Sequence, residues 1–268
     1  MVLWNGNFEA EATWHRKTQE AFEEINLPSS KDYASDFYEI DWVLLARCAV
    51  YLLLDMPTES ASLLNAIGFT WDKDGFANFA SWYLAIKAAF PEMPDEATDI
   101  WNRLAIFLSS SPGTINEAEV NEWIPSASEL AKANSGIVQV YVEFDLTGFG
   151  ARAFLKLGRD DEACELARLA IAPEQDTKKK TTLILCHSVL GQVAAKRGQM
   201  DDADTHFSRA LEEAKLSRLP LLEVVAARDW KKYALDPASR DCSAADAAID
   251  EACAKMKKTR DQLSPVLG

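Results

Sequence analysis

The chain has 268 residues, of which 48% are hydrophobic and 26% charged, and this balance is typical of folded globular proteins rather than disordered ones. Its 28 basic and 42 acidic side chains give a net charge of −14, which opposes sequence-independent binding to nucleic acid or to anionic lipid. The five cysteines are odd in number and widely spaced, which predicts no disulfide framework and no zinc site and favours the cytoplasm or another reducing compartment.

Apolar residues recur with a period of about 3.6 along most of the chain, the pattern of amphipathic helices. The predicted helices span residues 7–26, 36–55, 57–67, 73–90, 95–110, 116–133, 136–157, 160–172, 178–197, 200–217, 220–235 and 243–260. Residues 138–144 are rich in strand-forming side chains, but we assign them to a helix because small and apolar residues follow. The longest apolar run, 42–54, is interrupted by Arg47 and is too short to span a membrane. The sequence therefore predicts an all-α protein without membrane insertion.

The region 1–135 differs in character from the rest of the chain. Residues 1–140 hold 21 acidic and 8 basic side chains, a net charge of −13, together with seven of the eight tryptophans. Aromatic residues at helical spacing usually form core, so we expect most of these tryptophans to be buried. The acidic surface either serves solubility or faces a basic partner. We interpret the region as a helical domain that is either a set of degenerate repeats or a cap.

Two segments of the second half repeat one pattern of small residues at a distance of 40 positions. The offsets between matching residues are 7, 5, 4 and 3 in both copies. The matching series are Ala151, Gly158, Ala163, Ala167, Ala170 and Gly191, Gly198, Ala203, Phe207, Ala210. Small residues allow close approach of paired helices, and a glycine after a helix suits a left-handed cap. Each copy is therefore predicted to be a helix-turn-helix unit.

The segment LGQVAAKRGQMDDADTHFSRALEEA at 190–214 resembles a tetratricopeptide repeat. The segment GARAFLKLGRDDEACELARLAI at 150–171 is similar, with Ala167 where the family has a large residue, and a degenerate third unit has Ala245, Ile249 and Ala252. The resemblance implies an α-solenoid of antiparallel helix pairs over residues 136–268, with the N-terminal helical region beside it.

In tetratricopeptide proteins the first helix of each repeat lines a concave face that receives a partner. Carried onto this sequence, the pattern places five residues there as partner-binding candidates: Arg152, Lys156, Ser188, Gln192 and Lys196. The lysine and asparagine clamp of chaperone-binding members is absent, since Gly148, Arg152, Ser188 and Gln192 stand at its places. We expect the basic residues to be exposed, dispensable for folding and suited to an acidic or polar segment.

Residues that suggest catalysis or metal binding have simpler explanations. The pairs Asp160–Asp161 and Asp201–Asp202 stand where second helices begin, so we expect them to cap those helices and to favour the helix dipole. Cys186 and His187 are adjacent and point about 100° apart on a helix, which rules out a thiol and imidazole pair. We expect His187 to pack between helices, and His15 and His206 to lack partners at ligand spacing. No motif requires a cofactor or metal.

Three functional hypotheses remain from the sequence. The first is a non-enzymatic adaptor or assembly subunit that binds a peptide or helix of a partner protein on a concave helical surface. The second is a sensor of a small ligand or peptide. The third is an enzyme with a pocket in the N-terminal helical region, which would require a cluster of titratable groups.

Overall fold

A computed structural model describes residues 48–66, 95–110, 117–135, 145–172 and 180–267. Within these ranges every regular element is helical and none is a strand, so the all-α prediction is confirmed there. Among the helices of the same ranges, none combines the length and the apolar character that crossing a membrane requires. The helices predicted at 7–26 and 73–90, most of that at 36–55, and the strand-like stretch 138–144 lie outside the described residues.

Where the residues between two helices are described, the connections are short, as at Gly158 and Gly198. A helical segment at 48–53 precedes the labelled helices. They are α1 (Pro57–Ala66), α2 (Asp95–Ser109), α3 (Glu117–Trp123), α4 (Ala127–Ser135), α5 (Leu146–Lys156), α6 (Asp160–Ile171), α7 (Lys180–Lys196), α8 (Met200–Leu216), α9 (Pro220–Trp230), α10 (Ser243–Met256) and α11 (Ser264–Leu267). A π-helical turn, Lys231–Leu235, continues α9, and a 3₁₀ turn, Asp261–Leu263, precedes α11.

The helix predicted at 116–133 is two helices, because Pro125 separates α3 from α4. Proline has no backbone N–H to donate and its ring clashes with the preceding turn. The new helix begins with a capping box: the Ser126 backbone N–H and hydroxyl donate to Glu129 Oε2 at 2.9 and 2.7 Å. These hydrogen bonds hold the pKa of Glu129 below its usual value. The spacing Ser-x-x-Glu is a known helix-start signal that could have placed this boundary.

The helix predicted at 136–157 is not continuous, since Asp145 has an extended backbone and α5 begins at Leu146; residues 136–144 lie outside the described residues. Asp145 is its N-cap, and its carboxylate accepts the backbone N–H groups of Thr147 at 3.2 Å and Gly148 at 3.1 Å. Asp145 is fully buried, so these bonds replace the water that the carboxylate loses.

Consecutive helices from α5 to α10 pack against one another, and α5 also contacts α7 as α7 contacts α9. In the N-terminal region α1 packs on α2, while α2 and α4 pack on α5. Trp101 of α2 is fully buried among these contacts, as predicted. The tryptophans at 42, 71 and 82 lie outside the described residues. The N-terminal helices and the repeat-like helices therefore share one core.

The predicted turn glycines and small residues have the expected geometry. Gly158 and Gly198 have φ angles of 73° and 74°, in the left-handed region that glycine adopts without strain. Ala151, Ala163 and Ala203 are fully buried. The shared pattern of the two copies therefore has a structural cause at each of these positions.

The aspartate pairs do not cap their helices. Arg159 and Gln199 are the N-cap residues of α6 and α8, and neither makes a side-chain capping hydrogen bond. Asp160 and Asp161 lie in the first turn of α6, where negative charge favours the helix dipole. Both also form ion pairs with the end of α7, as detailed below.

Candidate functional site

Four of the five candidate residues surround one groove of about 430 Å³. Arg152 and Lys156 are one turn apart on α5, and Gln192 and Lys196 are one turn apart on α7, so each pair shares a helix face. Because α5 contacts α7, the two faces meet. The other residues that line the groove are Leu52, Asp55, Met56, Pro57, Leu108, Ser110, Leu155, Asp229 and Tyr233.

Ser188, the fifth candidate, is buried and does not line the groove. Its hydroxyl donates to Asp229 Oδ2 at 2.8 Å and accepts from Gln192 Nε2 at 3.3 Å. Ser188 therefore joins α7 to α9 and positions two side chains that do line the groove.

Arg152 and Lys156 are predicted to be dispensable for folding, but both donate hydrogen bonds to the backbone of the N-terminal region. Arg152 Nη1 donates to the backbone carbonyl oxygen of Leu52 at the end of the helical segment 48–53. Lys156 Nζ donates to the carbonyl oxygens of Phe107 at 2.6 Å and Ser110 at 2.7 Å, at the end of α2. The last carbonyl groups of a helix lack intrahelical partners and carry partial negative charge. Both basic residues therefore complete the ends of N-terminal helices.

One wall of the groove comes from residues 48–57, which lie against the repeat-like helices. Tyr51, Leu54 and Met56 are buried in one apolar cluster with Ile184 of α7 and Val225 of α9. The chain thus covers part of the face formed by α7 and α9 with its own residues. The groove is the part of that face that the described residues leave open beside this wall.

Both carboxylates of the groove are held by Arg228 of α9. Its Nη2 lies 2.7 Å from Asp229 Oδ1 and 3.1 Å from Asp55 Oδ2, while Nη1 donates to the carbonyl oxygen of Val266 at 2.6 Å. Burial alone would raise the pKa of Asp55, but the charges of Arg152, Arg228 and Lys232 outweigh it and lower that pKa. Asp55 therefore stays ionised at neutral pH, as part of a network that joins both ends of the described chain.

Lys196 is the most exposed basic residue of the groove, with 49% of its side chain accessible. Its Nζ lies 2.9 Å from Asp160 Oδ1 in the first turn of α6. The next residue, Arg197, makes a parallel ion pair with Asp161 at 2.6 Å but does not line the groove. The end of α7 is thus tied to the start of α6 by two neighbouring ion pairs of similar geometry.

A histidine pair lies between α7 and α8, where His187 packs between the helices as predicted and His206 is its neighbour. The Nδ1 atoms of His187 and His206 are 3.2 Å apart, so one ring donates a hydrogen bond to the other. Burial and mutual repulsion lower the pKa of His187 to about 4, and burial lowers that of His206. The two helices pack against each other on either side of the turn at Gly198, and counting outward from this turn would have brought the two rings together.

Cys48, the first residue of the groove wall, has the properties of a core residue. Cys48 is fully buried, its Sγ lies 2.9 Å from Ser60 Oγ, and burial raises the pKa of its thiol to about 12. A thiol of that pKa is not a nucleophile at neutral pH. Within the ranges that the structure describes, no three His, Cys, Asp or Glu side chains are grouped as metal ligands.

Comparison of the chain with protein-family models, with curated proteins and with solved structures finds no match in any of the three.

Proposed function

We propose that the protein is a non-enzymatic adaptor of the tetratricopeptide type, in which the groove between α5, α7 and residues 48–57 receives a peptide or helix of a partner protein. The observation that carries this proposal is the meeting of Arg152, Lys156, Gln192 and Lys196 from two successive first helices around one groove. A repeat protein presents equivalent positions of successive units on one continuous surface.

The solenoid arrangement is part of the same proposal. Its support is the order of helix contacts, in which each helix packs on the next and α5, α7 and α9 contact one another in turn. The close approach of α7 to α8 at Gly191 and the left-handed turns at Gly158 and Gly198 provide further support. In such an array the first helices form one face and the second helices the other.

Site-specific photo-crosslinking tests the adaptor proposal. A photoreactive amino acid at Gln192 lies in the groove, and the same amino acid at Glu212 on α8 is exposed outside it. We expect crosslinks to a defined partner segment from position 192 alone. We also expect Gln192→Trp, which fills the groove, to abolish binding of that segment without changing the circular dichroism spectrum. Identical crosslinks from both positions, or unchanged binding by the tryptophan variant, would contradict the proposal.

The sensor hypothesis is a second candidate because of the size of the groove. A volume of about 430 Å³ lies within the range of small-molecule sites, and Leu52, Leu108 and Leu155 give it an apolar lining beside a few polar groups. Thermal stabilisation by a metabolite library, lost in Gln192→Trp, favours this candidate over the adaptor. The enzyme hypothesis concerns a pocket in the N-terminal region, of which residues 1–47, 67–94 and 111–116 lie outside the described part of the chain.

A further inference from the structure

The histidine pair between α7 and α8 brings two imidazole nitrogen atoms face to face. The Nδ1 atoms of His187 and His206 are 3.2 Å apart, and the ring centroids are 5.4 Å apart. The distance between the nitrogen atoms accounts for most of the distance between the rings, so the rings meet end to end. Each ring therefore presents a nitrogen atom, rather than its face, to the other ring.

The separation of the two nitrogen atoms matches that of two ligands on one metal ion. A bond between zinc and an imidazole nitrogen is about 2.0–2.1 Å long, so neighbouring nitrogen ligands of a tetrahedral or square-planar ion lie about 2.8–3.4 Å apart. The observed 3.2 Å falls within this range. The terminal torsion of histidine is soft, so a small rotation of each ring directs both lone pairs at an ion beside the line that joins the nitrogen atoms.

Both rings can act as ligands at neutral pH. A ligating histidine must be neutral, and burial is the main cause that lowers the pKa of each ring. In the hydrogen bond one Nδ1 carries a proton, and on metal binding this proton moves to Nε2 of the same ring, which stays neutral. Both side chains are only partly buried, so solvent and a hydrated ion have access to them.

Charged side chains of α6 and α8 act on the pair in opposite senses. Besides burial, the charges of Arg209 and Glu213 act on the pKa of His187. The charges of Asp202 and Arg168 act on the pKa of the other ring. Carboxylates favour a cation and guanidinium groups oppose it, so the nitrogen ligands have to select the ion. Imidazole suits nickel, copper and zinc, whereas magnesium prefers oxygen ligands.

We propose that His187 and His206 form a binding site for a divalent transition-metal ion of the class that prefers imidazole, with water in its remaining positions. The two ligands come from different helices, so the bound ion links α7 to α8 beside the turn at Gly198. An ion that binds the folded chain better than the unfolded chain stabilises the fold. The site is separate from the groove and does not depend on the proposed adaptor function.

Ni²⁺ is a suitable probe because it takes imidazole ligands and does not oxidise cysteine thiols. We expect isothermal titration of the untagged full chain at neutral pH to show uptake of one ion per chain. His187→Gln and His206→Gln should each weaken binding at least about tenfold, because changes in the second shell of a metal site alone cost that much. Ni²⁺ should raise the urea midpoint of the wild type and leave that of either variant unchanged.

The chain offers a matched control because it has only three histidines. His15→Gln removes the third imidazole and should leave both the uptake of Ni²⁺ and the stabilisation as in the wild type. Mg²⁺ should have no effect on the urea midpoint. Ni²⁺ is paramagnetic, so the NMR signals of the His187 and His206 rings should broaden together in the wild type while those of His15 do not. This measurement requires no variant to fold.

Several results would overturn the inference. One is the absence of Ni²⁺ uptake by the wild type, and another is uptake that survives either His187→Gln or His206→Gln. Loss of binding in His15→Gln, or equal broadening of all three histidines, would also contradict the site. Uptake of Ni²⁺ without a change in the urea midpoint would show that the ion does not link the two helices. None of these results bears on the groove, so the adaptor proposal is tested separately.

Discussion

Gly191 lies beneath the ring of Phe207 at a distance that leaves no room for a methyl group. A Cβ atom on Gly191 would be 2.9 Å from both Cε2 and Cζ of Phe207, and both residues are buried. The first unit has Ala151 and Ala167 at the matching places, a larger residue opposite a smaller one. In the first unit a larger residue at the first position thus accompanies a smaller residue at the second.

Gly191→Ala is expected to destabilise the protein by about 1–2 kcal/mol. Overpacking a close helix contact costs about 1–3 kcal/mol, and the better helix propensity of alanine offsets up to about 1 kcal/mol of this. Urea unfolding followed by circular dichroism measures the change. The double variant Gly191→Ala/Phe207→Leu is the control, because a smaller side chain at 207 relieves the clash. Additive effects of the two substitutions would show that the contact does not limit the size of residue 191.

The sequence predicts the features of the fold that depend on near neighbours along the chain. The turns at Gly158 and Gly198 and the close approach at Gly191 follow from one repeated set of offsets. The groove also follows in part, because Arg152 and Lys156, like Gln192 and Lys196, are one turn apart on their helices.

Contacts between distant parts of the chain could not be predicted in this way. Arg152 and Leu52 are 100 positions apart, and Lys156 and Phe107 are 49 apart. Neither backbone carbonyl has a side-chain signature that marks it as an acceptor. Whether a polar residue of α7 faces outward depends on what covers that helix, and Ser188 is buried because Asp229 of α9 lies over it.

Reversing the charges of Arg152 and Lys156 on α5 is expected to destabilise the fold, whereas charge reversal at exposed positions changes stability little. Arg152→Glu/Lys156→Glu removes hydrogen bonds to the carbonyl groups of Leu52, Phe107 and Ser110 and places negative charge at two helix C-termini. Hydrogen bonds to charged groups contribute about 1.5–3 kcal/mol each, so we expect a loss of roughly 2–5 kcal/mol.

Chemical unfolding and protease sensitivity of residues 48–66 measure this loss. Arg197→Glu/Lys215→Glu is the control, since it reverses two basic residues whose ion pairs are on the surface. We expect the control to lose about 1 kcal/mol or less per pair. Equal stability of the two double variants would contradict the structural role of Arg152 and Lys156.

Ser188→Ala is expected to cost about 1–3 kcal/mol, because it leaves the buried carboxylate of Asp229 without the hydroxyl that donates to it at 2.8 Å. Ser208→Ala, at an exposed position of α8, is the matched control and should change stability by less than about 0.5 kcal/mol. Thermal and urea unfolding of both variants would show the difference. A loss in Ser188→Ala no larger than that of the control would contradict the inferred junction between α7 and α9.

The histidine pair is expected to make stability depend on pH below neutrality. The pKa of His187 is lowered from 6.5 to about 4, chiefly by burial and then by the charges of His206 and Arg209, which outweigh the opposing charge of Glu213. Between these two pKa values the unfolded chain binds more protons than the folded one, so the free energy of unfolding rises with pH. The stabilisation is complete above about pH 6.5 and is lost as the pH falls towards 4.

The wild type is expected to lose on the order of 1–3 kcal/mol between pH 7 and pH 4.5 through His187, after allowance for the partial exposure of the ring. Urea unfolding at half-unit steps of pH measures it. His187→Gln removes the titrating group and retains a side chain that can hydrogen bond to His206, so its stability should change less over this window. His206→Gln should keep a reduced slope, because burial of His187 persists without its neighbour. A slope in His187→Gln equal to that of the wild type would assign the pH dependence to other groups.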